Sequence, residues 1–155
     1  MSFLLRAALP ADMEAISRLA RSSPQAPQWS LAQYESLLIN SAVPTCCLVA
    51  ELEEQIAGFV IARLVAEICE LESIAVAPEA QRRGIGAALL DSALQWAASH
   101  GALRLQLEVR ASNLPAILLY QQAGLRREGV RRGYYSHPDE DAILMGIEPL
   151  SAHSK

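Results

Sequence analysis

The chain has 155 residues, of which 52% are hydrophobic and 19% charged, and its formal net charge is -4. This length fits one domain, expected over residues 1–150 with the tail "SAHSK" (151–155) loose, and the composition excludes a disordered protein. The acidic balance argues against nucleic acid as a partner, and no apolar run approaches the roughly 20 residues that span a bilayer. "MSFLLRAALP" is too short for a signal peptide, so a cytoplasmic location away from membranes is expected. Three cysteines without C-x-x-C spacing (Cys46, Cys47 and Cys69) indicate neither a disulfide framework nor a zinc site, and no metal is expected. Twelve of the 13 basic residues are arginines, paired at 82–83, 126–127 and 131–132, which suits local anion recognition.

A short strand at Leu4–Ala7 leads into "PADMEAISRLA", where an early proline and apolar residues at helical spacing predict a first helix. In "WSLAQYESLLI", Ser30 and Gln33 have capping-box spacing, predicting a second helix whose apolar face includes Leu31, Tyr34, Leu37 and Leu38. "CCLVAEL" and "IAGFVIARL", joined by the polar "EEQ", read as a β-hairpin, and "EICELESIAVA" extends the sheet. Pro78 stops that strand, a glycine corner follows, and "IGAALLDSALQWAASH" forms a long helix closed by Gly101.

"LRLQLEV" alternates, with Leu103, Leu105, Leu107 and Val109 on one face and Arg104, Gln106, Glu108 and Arg110 on the other. This polar face fits either a solvated surface or the lining of a crevice. A short helix over about 114–123 ends at Gly124, and strands around "LRREGVRR" and "DAILMGIE" complete an α/β order with a parallel β-α-β unit.

The corner "QRRGIGAALL" sits where a strand gives way to a helix. It lacks the third glycine of a dinucleotide fingerprint and the Gly-Lys-Ser/Thr of a nucleotide-hydrolysing loop. Two readings remain open. One is an ordinary turn with solvated arginines; the other is an anion cradle, in which Gly84 and Gly86 admit a ligand to the backbone amides at a helix N-terminus.

Residues 81–86, "QRRGIG", resemble the Q/R-x-x-G-x-G/A signature of the GNAT acyltransferase superfamily, and "IAVAP", "LQLEVRASN" and "NLPAILLYQQAGL" match in order and spacing. The words "LEVRASN", "RRGYY" and "EDAILM" are most similar to its RimI-type group, which acetylates the N-terminal alanine of a small-subunit ribosomal protein. The resemblance implies a mixed, centrally splayed β-sheet flanked by helices and acetyl-CoA as cosubstrate. It implies that the backbone of Ile74, Ala75 and Val76 bonds the pantetheine and acetyl portions. Residues Arg82, Arg83, Gly84, Ile85, Gly86 and Ala87 would wrap the pyrophosphate, with Asn113 touching the cosubstrate from the next loop. It assigns Glu108 as general base and Tyr120 as general acid. Trp29, Tyr134 and Tyr135 would line the acceptor groove, with Glu70, Glu72 or the acidic run 139–141 attracting a basic peptide. The chain departs from the group's pattern at "APQWS", at Leu125 and at Gly133, and the first and last of these lie in regions resembling acceptor-binding loops.

Amine acetylation needs a base for the ammonium, donors for the carbonyl and an acid for the departing thiolate. An α-amine, with a pKa near 7.7–8.0 against about 10.4 for lysine, is easier to present neutral by about 3.4 kcal/mol at pH 7. A protein N-terminus is therefore the expected acceptor. Three rivals make different predictions: a small-molecule amine acetyltransferase, a non-catalytic acyl-CoA sensor, and covalent transfer through Cys69 with ping-pong kinetics.

Overall fold

Strands at Leu4–Ala7 (β1), Thr45–Leu52 (β2), Gln55–Val65 (β3), Ile68–Val76 (β4), Arg104–Arg110 (β5), Arg126–Tyr135 (β6) and Glu140–Ile147 (β7) form one seven-stranded sheet in the order β1-β2-β3-β4-β5-β7-β6. Helices at Met13–Arg21 (α1), Leu31–Ile39 (α2), Ile85–Ser99 (α3) and Leu114–Gln122 (α4) flank it. The computed structural model describes residues 2–23, 29–39, 41–136 and 139–150. The expected loop over 22–28 and the tail at 151–155 lie largely or wholly outside them.

Local chemistry accounts for the element ends. Asp12 accepts from the Leu9 backbone amide at 2.7 Å and from Arg6 at 2.7 and 3.1 Å, tying β1 to the start of α1. Arg6 also donates to Glu51 of β2 at 2.9 Å. The capping box at α2 is reciprocal: the Ser30 amide donates to Gln33 Oε1 at 2.7 Å and the Gln33 amide to Ser30 Oγ at 3.2 Å. Gly101, at φ +89, ends α3, and the Ala102 amide turns back to the Ala97 carbonyl at 2.9 Å. The β2–β3 turn is tighter than "EEQ": Glu53 and Glu54 both adopt positive φ, and Gln55 already pairs with Leu52.

Two apolar assignments need correction. Leu31 is 38% exposed, because it opens the first turn of α2, whereas Tyr34 and Leu37 face inward. Leu103 is 54% exposed, because it precedes the β5 ladder, which begins at Arg104.

The core lies around β3, where Ala57–Ala62 are buried without interruption, so both faces of this strand are covered. Helix α3 packs over β2, β3 and β4 and α1 over β3 and β4, with α2 against α1. Close approach of α3 explains Gly58, where a Cβ would lie 3.0 Å from the Ala75 carbonyl and 3.2 Å from Ile85 and Leu89. Strand β5 differs. Its Leu105, Leu107 and Val109 are buried, while Arg104, Gln106, Glu108 and Arg110 are only half-buried.

Every pairing is antiparallel except β4 with β5. That parallel ladder holds only Ile68↔Arg104, Cys69↔Leu105 and Glu70↔Gln106. Next along β4, the register with β3 passes from Ala62↔Leu71 to Ile61↔Ser73, so Glu72 is an extra residue, a bulge that bends the strand. The two strands then separate. Burial pushes the Glu72 carboxyl above the ordinary glutamate range and Glu70 and Glu108 add to the shift, against the opposing pull of Arg63.

Asp12→Asn is expected to cost about 2 kcal/mol and lower the thermal midpoint by about 4–8 °C at pH 7. Arg6 holds the Asp12 carboxyl below its ordinary value, so its contribution is present above pH 3.8 and fades as pH falls through the lower folded value. Glu72 has the opposite sign. A folded value raised above 4.5 favours the folded state below that pH and loses this advantage as pH rises through the folded value. Glu72→Gln is therefore expected to raise the midpoint by about 1–2 °C at pH 7, a small gain because the group is partly solvated, and to match wild type below about pH 4.5 in calorimetry.

Candidate active site

The separation of β4 from β5 opens a cavity of about 580 Å³. On one wall the backbone of Ile74, Ala75 and Val76 pairs with β3 through Val60, Phe59 and Gly58, and the edge facing β5 has no strand partner. The Val76 carbonyl accepts instead from the Gln81 side chain at 3.2 Å.

The glycine corner forms one end of this cavity. Arg82 has φ +68 and Gly84 φ +83, and Gly84 caps the N-terminus of α3. Alternation of ordinary and left-handed residues turns successive amides inward, and the first turn of a helix has amides without intrahelical acceptors. A Cβ on Gly86 would point toward Leu119 and Val76, at 3.6 and 3.7 Å, and so into the space between the corner and α4. Arg82, Gly84, Ile85, Gly86 and Ala87 all line the cavity. Arg83 is exposed and does not. This donor set suits a pyrophosphate, so the residues present fit a coenzyme A ester.

Opposite the corner stand β5 and α4. Asn113 lines the cavity, and its Oδ1 caps α4 by accepting from the Ala116 amide at 3.3 Å. Tyr120 lies in the last turn of α4, buried and lining the cavity. Burial, and secondarily Tyr135, pushes its phenol above the ordinary tyrosine range, so it stays protonated. Glu108 lines the same cavity, and its carboxylate meets Arg131 at 3.1 Å.

The expected acceptor residues divide. Tyr135 lines the cavity, with its phenol pushed up to about 12 by burial and by Glu108, and the Arg110 guanidinium lies 4.4 Å from its ring centre. Tyr134 is 46% exposed and hydrogen-bonds Glu108. Trp29 lines neither this cavity nor a smaller one beyond Glu108; its ring packs on Tyr34 with centres 5.2 Å apart. Within the acidic run 139–141, Glu140 engages Arg110 and the Ser112 amide, and Asp141 accepts from the Gly133 amide at 2.9 Å. Those two carboxylates brace the β6–β7 hairpin, which weakens the idea that the run serves to attract a peptide.

Sequence reasoning missed Ser22 and Ser23 at the end of α1, a helix packed on β3 and β4, which line this cavity from far away in the chain, and no local signal marks them. It grouped Arg131 with anion-binding pairs, whereas its nearest charged partner is the Glu108 carboxylate. Cys69 is fully buried and its thiol is pushed up to about 12, first by burial, so a covalent route through it is disfavoured. Among the described residues no cluster of ligands could hold a metal, and no helix is long and apolar enough to cross a membrane.

Residues 12–125 match the acetyltransferase (GNAT) family. A ribosomal protein bS18-alanine N-acetyltransferase of Salmonella typhimurium is 41% identical over 101 residues, covering 64% of this chain and 68% of the relative. A Bacillus subtilis protein is 32% identical over 136 residues, covering 88% of this chain and 89% of that protein. The crystal structure of the ribosomal-protein-S18-alanine N-acetyltransferase from Escherichia coli superposes with a TM-score of 0.84 at 32% identity, over 97% of this chain and 95% of that one. The sheet order, the glycine corner and these matches agree, and the chain belongs to the GNAT family of acetyl-CoA-dependent acetyltransferases.

Proposed function

We propose that this protein transfers the acetyl group of acetyl-CoA to the free α-amine of a protein N-terminus, with the N-terminal alanine of ribosomal protein bS18 as its acceptor in the cytoplasm. The acceptor's identity is supported by the names of the Salmonella and Escherichia coli relatives. The observation that carries the reading is a single cavity lined by the anion-binding corner, a half-buried carboxylate and a protonated tyrosine.

In this reading the amides of the Arg82–Ala87 corner hold the pyrophosphate, and the unpaired edge of β4 at Ile74–Val76 aligns the pantetheine and polarises the thioester carbonyl. Asn113 fixes the start of α4 beside it. Glu108 takes a proton from the acceptor ammonium, directly or through one water. The neutral amine then attacks the thioester carbon, a C–N bond forms, the C–S bond breaks, the nitrogen sheds its second proton to solvent as the amide forms, and Tyr120 protonates the departing thiolate. Solvent returns the proton to Tyr120, which completes a step that runs uphill from tyrosine to thiolate in isolation. Transfer is direct, with both substrates bound. Tyr135 borders the reacting centre and Tyr134 extends outward from it, a pair suited to receiving an extended peptide end.

The test follows thiol release from acetyl-CoA with peptides matched except for the acceptor: a free N-terminal alanine, a blocked terminus with an internal lysine, and no peptide. Turnover is expected with the free alanine alone. Glu108→Gln and Tyr120→Phe are each expected to lower kcat by about 10²-fold or more while leaving acetyl-CoA affinity within about twofold. A preference for the lysine peptide or for small amines would refute the α-amine acceptor. Gly86→Val, which fills the space toward Leu119 and Val76, is expected to raise the KM for acetyl-CoA by about tenfold with a smaller effect on peptide KM.

A further inference from the structure

Glu108 is the only described residue that lines both cavities. The larger holds the glycine corner and Tyr120. The smaller, about 140 Å³, lies on the half-open polar face of β5 and is bordered by Glu70, Arg104, Gln106, Glu128 and Arg131. A base that works between a thioester and an incoming amine belongs on a wall shared by two such spaces, and its carboxylate lies 3.1 Å from Arg131, which borders the smaller one.

Among the described residues, the partners recorded for that carboxylate come from β6: Tyr134 hydrogen-bonds it and Arg131 pairs with it. Of its neighbours on the same face, Gln106 donates to Glu70 at 2.6 Å and accepts from Arg104 at 2.9 Å. Arg110 turns to Glu140 at 3.3 Å and lies over Tyr135. Arg104 is occupied by Glu128 and Glu148. The charged partner that reaches Glu108 is Arg131, from β6, across the intervening β7: Glu108 pairs with Leu144 in the ladder and Arg131 with Ala142. Its guanidinium carbon lies 4.9 Å from the centre of the Tyr134 ring, so the side chain is seated against an aromatic face while it grips the carboxylate.

We propose that Arg131 is a positioning residue: it holds the Glu108 carboxylate turned into the junction between the two cavities, ready for an acceptor amine. The inference rests on Glu108 being the base. A half-exposed ion pair of this kind contributes little to stability, because solvent competes for both partners. Orientation is different, since displacing a reacting group by about 1 Å can cost about 10²-fold in rate. Arg131 therefore acts through Glu108, and its loss should appear in turnover more than in folding.

A double-mutant cycle tests this. With the acceptor that wild type turns over fastest, among a free-alanine peptide, a blocked lysine peptide and a small primary amine, Arg131→Gln is expected to lower kcat by about 10- to 100-fold. Peptide KM should change by less than about threefold and the thermal midpoint by less than about 2 °C. Arg131→Lys should recover most of the rate, because an ammonium still pairs with the carboxylate although it lacks the planar fork. In a Glu108→Gln background the same Arg131→Gln change should add less than about twofold. Equal losses in both backgrounds would overturn the proposal, as would full activity of Arg131→Gln or a crystal structure of that variant with the Glu108 carboxylate unmoved. A wild-type preference for lysine or a small amine would instead defeat the α-amine reading and leave the cycle to be read on that acceptor. Full activity of Glu108→Gln alone would remove the base, and the Arg131 role with it.

Discussion

The site depends on a parallel ladder that stops early. Between β4 and β5 pairing ends at Glu70↔Gln106, and the bulge at Glu72 then bends β4 away. Backbone donors and acceptors that a continuous sheet would consume are left facing a cavity, in the middle of a sheet whose other neighbours remain paired. An unpaired strand edge inside a fold calls for a ligand or water to satisfy it, and an extended amide-bearing ligand such as pantetheine matches it as another strand would. The position of the glycine corner follows from the same geometry, because α3 starts where β4 has just diverged.

Electrostatics then separate the two candidate proton carriers. Tyr120, on the buried side of α4, is kept protonated by the removal of water around it. Glu108 stands on the half-open face of β5 and has a cation from β6 at 3.1 Å. In the proposed reaction Tyr120 gives a proton and Glu108 takes one, and the two differ in burial and in charged neighbours. The charged partner of Glu108 sits two strands away, so the β6–β7 hairpin is tied to the wall of the cavity. Glu140 and Asp141 reinforce that hairpin by bonding to Ser112, Arg110 and Gly133.

Much of this was legible before any coordinates. The capping box at Ser30, the glycine end of α3 at Gly101 and the strand–glycine–helix corner at 81–86 are local devices, in which a few adjacent residues satisfy one another, and they formed as read. The alternation of "LRLQLEV" exposed the polar face of β5 correctly, apart from Leu103, which lies outside the ladder. Trp29 and Arg83 show the limit. Their motif position assigned them to ligands, while their surroundings, Tyr34 against the Trp29 ring and solvent around Arg83, depend on packing that no motif gives.

By itself the sequence determined the order of elements, the strand–glycine–helix corner and the chemical types available to the site, because those rest on periodicity, backbone freedom at glycine and residue identity. Only the tertiary structure decided which of them meet. The pairing of Arg131 with Glu108, the arrival of Ser22 and Ser23 at the cavity and the junction of two cavities at one carboxylate join residues far apart in the chain. Such contacts are set by how β5, β7 and β6 stack in the sheet and by where β4 leaves it, and no local pattern encodes them.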